Sequence, residues 1–576
     1  MTRRMFVLLV LVSVIAACGP SPNSKSPTLL GPSGPPQADQ PARTLVAVVQ
    51  VEPKTLAART FAQTNVSSNL SRRLFNADLA LVDDQSNAFP YLAEALPQLN
   101  TDSWKVYPDG TMDTTYRLKP NLAWHDGTPL SADAFVFSWQ LYSTPELGQA
   151  SLLPIKVIAR VEAPDQRTVL IRWAQPYAAA GALQSLGFSA PIGLPPLPRH
   201  ILGPSLESGA DALLNNPFWT SGYVGLGPFK LDQWQPGTFI AAAAFERHAL
   251  GAPKIQQIKL MFVPDASTAL ANILAEDAQM TADSALGLQQ AVTLFRQWPA
   301  GRGAMIPNFI QWLAAHFQGR SDFVSPAALK DVRVRQAVAY AVDRAAINDA
   351  LFDGQYPIAD SVFAPTSDLG RAADAAANKY PFDLGRSERL MVEAGFTRAP
   401  GDIYLGLSGE RFSAEVRTGS ASNVEMQSAL ASGWRQAGFD FTEYVVPTAQ
   451  SQDVQIKSTY SGIQISATAN GEPGLNSMGT GNVPTANNQW RGNAWDGYAN
   501  PELDRLIAVF SVALDPSQRT RAAADIAKLY SVEVPAISLF FPFSPWVFTS
   551  DVSGPKLRPG ENNVAWNVHE WEWSSR

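Results

Sequence analysis

Cysteine is almost absent. One residue, Cys18, stands in 576, so no intramolecular disulfide and no paired-cysteine metal site can form. Histidine is nearly as scarce. His125, His200, His248, His316 and His569 are far apart along the chain, with no His-Glu-x-x-His. Metal-ligand spacing is therefore missing, and no metal site and no cofactor is expected. No Gly-x-Ser-x-Gly elbow occurs. Ser553-Gly554-Pro555-Lys556 fits Ser-x-x-Lys, but Pro555 is at odds with the helical turn that would align Ser with Lys. Acidic residues are plentiful, yet nothing selects a pair for glycoside hydrolysis. No catalytic residue is assigned, and the chain is expected not to be an enzyme. Charge is also sparse, at 16% of residues with a formal net charge of -7 and no long run of one sign. A nucleic-acid partner would favour a basic stripe, so none is expected.

The sequence is 46% hydrophobic with 15 Trp, enough to bury large cores. Met1 to Arg4 make a short basic start, and Phe6 to Ala17 an apolar run of 12 residues. That is short of the ~20 needed to span a bilayer, and it reads as a signal peptide. The run ends Ile15-Ala16-Ala17-Cys18, which resembles the bacterial lipobox, with Cys18 as the lipidated residue. Thr2-Arg3-Arg4-Met5-Phe6 also resembles a twin-arginine export signal, while the long apolar segment favours the general secretory route. Gly19 to Arg43 is rich in Pro, Gly and Ser and reads as a tether.

The folded body is expected to begin with a buried strand at Thr44-Leu45-Val46-Ala47-Val48-Val49. A helix is expected over about Val66 to Phe75, with Leu70 and Leu74 on one face. Trp104–Tyr107 and Met112–Leu118 flank Pro108-Asp109-Gly110-Thr111, a hairpin signal. Ser131 is expected to cap a helix running to about Tyr142. Asp331 to Leu351 carries a helical stripe at Val334, Val338, Val342 and Ala345-Ala346, with Asp343-Arg344 near its middle. Pro501 to Val512 reads as a further helix. Mixed strands and helices without a short repeat give an α/β class.

Four blocks, in order, resemble the extracellular solute-binding proteins of family 5, the receptors of dipeptide, oligopeptide and nickel ABC importers. The clearest runs Thr115-Tyr116-Arg117-Leu118-Lys119-Pro120, then Ala123-Trp124-His125-Asp126-Gly127-Thr128-Pro129-Leu130-Ser131-Ala132-Asp133-Ala134-Phe135. The others are Gly225-Leu226-Gly227-Pro228-Phe229, Val332-Arg333-Val334-Arg335-Gln336-Ala337 through Asp343-Arg344, and Gly497-Tyr498-Ala499-Asn500-Pro501-Glu502-Leu503-Asp504. Each has a plain structural reading. Asp126-Gly127-Thr128-Pro129 is a turn, and Gly225 and Gly227 allow close backbone approach at the entry to a strand.

The resemblance implies a two-lobed periplasmic-binding-protein-like fold with an extra domain, three domains in all, closing on a hinge around a ligand. Lobe I is expected from 44–83, 219–303 and 531–576, the extra domain from 84–218, and lobe II from 304–530. These follow a signal peptide at 1–18 and a tether at 19–43. The implied role is capture of a peptide-like or other small solute for the permease subunits of an ABC importer. The protein would be exported and lipid-anchored, on the outer face of the cell membrane or in the periplasm. A secreted hydrolase, or a sensor or chaperone on the same fold, are the alternatives. Peptide receptors of the family commonly hold the ligand's α-ammonium with an Asp in a segment like Trp-x-x-Asp-Tyr-x-x-Pro. The corresponding stretch is Ser466-Ala467-Thr468-Ala469-Asn470-Gly471-Glu472-Pro473, which puts Ala469 at the acid's place and Ser466 at the Trp's. Two readings stay open: Glu472 takes the role, with Trp490, Arg491 and Trp495 lining the pocket, or the ligand lacks a free amino terminus and meets neutral groups such as Asn470.

Overall fold

Three larger sheets and two further strand pairs carry the described residues. The computed structural model describes residues 43–574, apart from 60, 62–68, 85–86, 186–192, 283–284, 299–300, 400, 448–449, 452, 489, 491 and 557–563. Cys18, the expected signal peptide and the tether up to residue 42 lie outside these residues.

The first sheet has seven strands in the order Gly301–Pro307, Phe543–Thr549, Met280–Ala282, Thr44–Val49, Gln257–Phe262, Phe239–Ala244 and Phe229–Gln235. Thr44–Val49 lies centrally and pairs in parallel with both neighbours. Its Leu45, Ala47, Val48 and Val49 are fully buried, which explains the unbroken apolar run. The second sheet has five strands in the order Asp440–Val445, Ser413–Thr418, Ile463–Ala469, Gln311–Phe317 and Ala536–Phe540. Both of its faces are covered. Leu313, Ala315 and Phe317 join one apolar cluster, and Trp312 and Ala314 join another. Alternate side chains along a strand point to opposite faces, so this one strand feeds two cores. The third sheet is antiparallel, in the order Trp104–Val106, Met112–Arg117, Thr168–Trp173 and Ile158–Asp165.

Two crossings join the seven- and five-stranded sheets. Gly301–Pro307 leads into Gln311–Phe317, and Ala536–Phe540 leads into Phe543–Thr549. The crossings fall at 308–310 and 541–542. The strand patterns, not the helices that precede them, set where each sheet ends.

Local signals worked where a turn or cap residue fixed them. In the 104–117 hairpin Gly110 has φ +86° and Asp109 Oδ1 accepts the Thr111 amide at 3.0 Å. The Pro501–Val512 helix has Pro501 in its first turn and Asn500 as cap, accepting from the Glu502 and Leu503 amides. The helix ahead of residue 75 is described from Asn69 to Phe75, with Leu70 and Leu74 fully buried.

Two helix expectations need correction. Ser131 is not a side-chain cap: the helix is Asp133–Tyr142, Ala132 stands at its N-cap, and Ser131 lends only its carbonyl, to the Ala134 amide. The stripe over 331–351 is two helices, Val332–Tyr340 and Arg344–Phe352. Asp343 breaks the run by capping the second through Oδ1, which accepts the Ala346 amide at 2.9 Å. Arg344 donates to the Ala359 carbonyl and pairs with Asp360, both at 2.8 Å.

The glycines of the second block sit where side chains cannot. A Cβ on Gly225 would lie 1.9 Å from the Phe75 carbonyl oxygen, and one on Gly227 would lie 2.3 Å from that of Leu74. Two histidines distant in sequence also meet in the first core. The rings of His248 and His569 are 5.3 Å apart, and Tyr91 packs edge-on against His248. Among the described residues no helix is long and apolar enough to cross a membrane, and no three His, Cys, Asp or Glu side chains gather as a metal site.

Candidate ligand-binding site

The antiparallel pair Gln311–Phe317 and Ile463–Ala469 aligns Trp312 with Thr468, Ala314 with Ser466 and His316 with Gln464. The period of two puts these residues on one face of the sheet. Opposite them stands the segment bearing Asn493, Trp495, Asp496 and Tyr498, and Tyr530 from the helix Pro516–Glu533 closes the end. Between them lies a small, partly open pocket.

Its walls are aromatic and its polar groups are incompletely paired. Trp312 Nε1, His316 Nε2 and the Tyr460 hydroxyl are buried without a hydrogen-bond partner. Asp496 faces His316, with Oδ2 3.5 Å from Nδ1. Its Oδ1 accepts the Tyr498 amide at 3.1 Å. Among the described lining residues Asp496 is the sole carboxylate, and none is Lys or Arg. Burial first, and the Asp496 charge second, hold the Tyr460 and Tyr530 hydroxyls well above the usual tyrosine range. Arg320 braces this wall from behind, donating to the Pro484 and Trp495 carbonyls at 2.7 and 3.1 Å. Lys457 lies over the Trp495 ring at 5.0 Å.

Of the residues expected from sequence, Trp495 lines this cavity. Asn470 lies deep at the sheet crossing. Its amide donates to the Ile310 carbonyl at 2.6 Å and its Oδ1 accepts the Ala364 amide at 2.8 Å, while Nδ2 has no partner. Glu472 is half exposed and is held by Arg519 at 2.6 Å. Its charge still reaches Tyr177, whose hydroxyl is pushed up by burial first and Glu472 second. Leu514, in the turn between the Pro501–Val512 and Pro516–Glu533 helices, packs against the core shared by the seven- and four-stranded sheets. The five-stranded half thus touches the rest of the body close to Glu472. Trp490 stands at φ +59° with its ring 6.3 Å from that of Phe323. Arg491 lies outside the described residues. Sequence reading missed His316, Tyr460 and Asp496. The one local signal was an acid between Trp495 and Tyr498, just ahead of the Tyr-x-Asn-Pro-Glu block.

Residues 94–489 match the family described as bacterial extracellular solute-binding proteins, family 5 Middle. Along almost the whole chain, the sequence is similar to the oligopeptide-binding protein AppA of Bacillus subtilis, at 22% identity over 98% of this chain and 97% of that protein. The fold is similar to that of NikZ from Campylobacter jejuni, crystallised with Ni(L-His), with a TM-score of 0.73 at 21% identity over 92% of this chain and all of that one. It is also similar to the oligopeptide-binding protein of Thermus thermophilus, crystallised with a pentapeptide. There the TM-score is 0.70 at 22% identity, over 92% of this chain and 96% of that one. This chain belongs to the family 5 extracellular solute-binding proteins. It is a substrate-binding protein of the α/β, multi-domain type.

Proposed function

We propose that this protein captures a small solute outside the cytoplasm and presents it to the permease subunits of an ABC importer, without transforming it. Its relatives carry the names of oligopeptide- and dipeptide-binding proteins, which supports peptide-like ligands. The nickel–histidine complex of a fold neighbour widens the class to chelates. We assign the seven-stranded sheet to lobe I, the 84–218 region to an extra domain, and the five-stranded sheet to lobe II. Cys18 carries lipid and the segment to residue 43 tethers the body to the membrane surface.

One observation carries the reading: two separately cored sheets are joined by just two short crossings that lie side by side. Such a link bends more easily than either sheet, so a ligand that prefers the closed form draws the halves together. Small-angle scattering and a thermal-shift screen of peptides, sugars and metal chelates test it. A ligand at ~100 times its dissociation constant should stabilise the fold by about 2.7 kcal/mol and shrink the radius of gyration. Turnover of a hit, abolished by one point substitution, would overturn the binding-only reading.

A further inference from the structure

Segment 356–364 follows the helix Arg344–Phe352 and runs along the joint between the two halves. Its backbone is bonded at every turn to the five-stranded half. The buried Asn348 clasps Tyr356 with both ends of its side chain: Nδ2 donates to the Tyr356 carbonyl at 2.8 Å and Oδ1 accepts its amide at 3.0 Å. Arg344 donates to the Ala359 carbonyl at 2.8 Å. The Ala359 amide donates to the Leu539 carbonyl at 3.1 Å, and the Pro357 carbonyl accepts from Phe541, in the second crossing, at 2.9 Å. Further on, the Val362 carbonyl accepts the Gly471 amide and the Ala364 amide donates to Asn470 Oδ1, both at 2.8 Å. Asn470 in turn holds Ile310 of the first crossing at 2.6 Å. One segment is thus bonded to the second crossing directly and to the first through Asn470.

The Tyr356 ring is the part that reaches the other half. One face is stacked on Phe352, with ring centres 3.8 Å apart and planes 5° from parallel. The ring also meets Phe543 at 5.2 Å and Phe540 at 6.4 Å, both steeply tilted against it. Phe540 ends a strand of the five-stranded sheet, and Phe543 begins a strand of the seven-stranded one. The ring therefore spans the 541–542 crossing. Phe352 backs it and itself abuts Phe540 at 5.8 Å. Close-packed rings compress very little. A turn of the seven-stranded half towards Tyr356 drives Phe543 into a ring that has nowhere to yield. A turn the other way only gives up the contact.

We propose that segment 356–364 is a strap laid across the joint and that Tyr356 is its stop, which limits how far the seven-stranded half swings to one side. The proposal rests on the reading of the two sheets as lobes that close on a solute, and adds a limit to that motion. Asn348 is a positioning residue: it fixes the backbone from which the ring projects. Without the ring, the crossing at 541–542 has no side chain wedged between the sheets at Phe543, and the halves sample positions that the stop forbids.

Spin labels at Ala275→Cys and Ser408→Cys, exposed positions in the seven- and five-stranded halves, report the distance between the halves by double electron–electron resonance. The full chain is used in a Cys18→Ser background, so that only these two sites are labelled. The expected result is one narrow distance distribution with Tyr356 in place, about twofold broader and extended to one side in Tyr356→Ala. Tyr356→Phe, which keeps the ring, should stay narrow. Ile273→Val, a loss from the core of the seven-stranded half, should stay narrow as well. A distribution already as broad with Tyr356 in place overturns the stop, as does a Tyr356→Ala distribution that matches the natural one. Equal broadening in Ile273→Val also overturns it, because general softening then accounts for the effect. If Tyr356→Ala does not fold, Tyr356→Leu, which keeps an apolar plug but loses the flat ring, is judged by the same outcomes. Native mass spectrometry of the purified protein tests the receptor reading separately. A retained solute leaves that reading standing when the stop falls. If the labels move in no variant and no solute is retained, both fall.

Discussion

Asn308 donates its backbone N–H to the Pro542 carbonyl at 2.7 Å, tying the two crossings together where both pass between the sheets. Asn308 also turns its Oδ1 to the Ile310 amide at 3.2 Å, and Ile310 in turn accepts from Asn470. The crossings are thus one braced joint. Asn308→Gly removes the side-chain brace and loosens the backbone, for about 1 kcal/mol of stability. It should also enlarge the unliganded protein in small-angle scattering by favouring open forms. If both the unfolding midpoint and the radius of gyration are unchanged, the joint is not where the halves bend.

Backbone contact at Gly225 and Gly227 sets a second expectation. Phe75 and Leu74 carbonyls fill the space a methyl group would need. Neither neighbour is a flexible side chain, so the chain itself has to shift. Gly225→Ala should cost at least ~3 kcal/mol, measured as a fall in the urea midpoint. A loss under 1 kcal/mol would mean that the loop yields more easily than its packing implies.

Acid should destabilise the fold below pH 6.5. Burial lowers the His125 ring to about 4 and the His569 ring to about 3, and holds the His248 ring well below the usual histidine range. The folded pKa is depressed in each case, so as pH falls below the unfolded value near 6.5 only the unfolded chain takes up a proton. Stability is fully present above pH 6.5 and lost progressively beneath it, by roughly 1 kcal/mol per histidine per pH unit. Asp78 acts in the opposite sense. Burial raises it to about 7, so its native form gains relative stability as pH falls from 7 towards 4. Three histidines outweigh one carboxyl, and unfolding by urea at pH 7, 6 and 5 should show a net decline. His569→Phe should flatten that slope. An unchanged slope would remove His569 from the account.

Processing at Cys18 gives a prediction independent of the folded body. Cys18→Ala should leave the membrane fraction or remain unprocessed, as read by fractionation and intact mass. A variant that is cleaved and membrane-bound like the natural protein would rule out the lipidation reading.

The elements that could be read from sequence were those fixed by neighbours in the chain. Asp109-Gly110 sets its hairpin and Asn500-Pro501 starts its helix through local hydrogen bonds and a fixed φ. Asp343 shows the limit: a stripe of Val and Ala continues through it, and only its side chain, turned back to the Ala346 amide, divides one helix into two. The cavity was harder still. His316 belongs to a strand, Asp496 to a segment 180 residues later, and they meet where Gly319, just past that strand, donates its amide to the Asp496 carbonyl at 2.7 Å. No spacing rule reaches across such a distance. Glu472 looked free because its partner, Arg519, lies in another helix.

Arg43 lies across the Trp573 ring at 3.9 Å and pairs with Asp551. The first residue of the folded body is therefore clasped by its last strand pair, Val552–Ser553 with Glu572–Trp573. A pull on the chain ahead of residue 43 enters at this corner and passes into Thr44–Val49, the middle of the seven-stranded sheet. The five-stranded sheet lies off that path. If the residues ahead of 43 tether the body, as proposed above, the seven-stranded half is the one held and the five-stranded half is the one left to move.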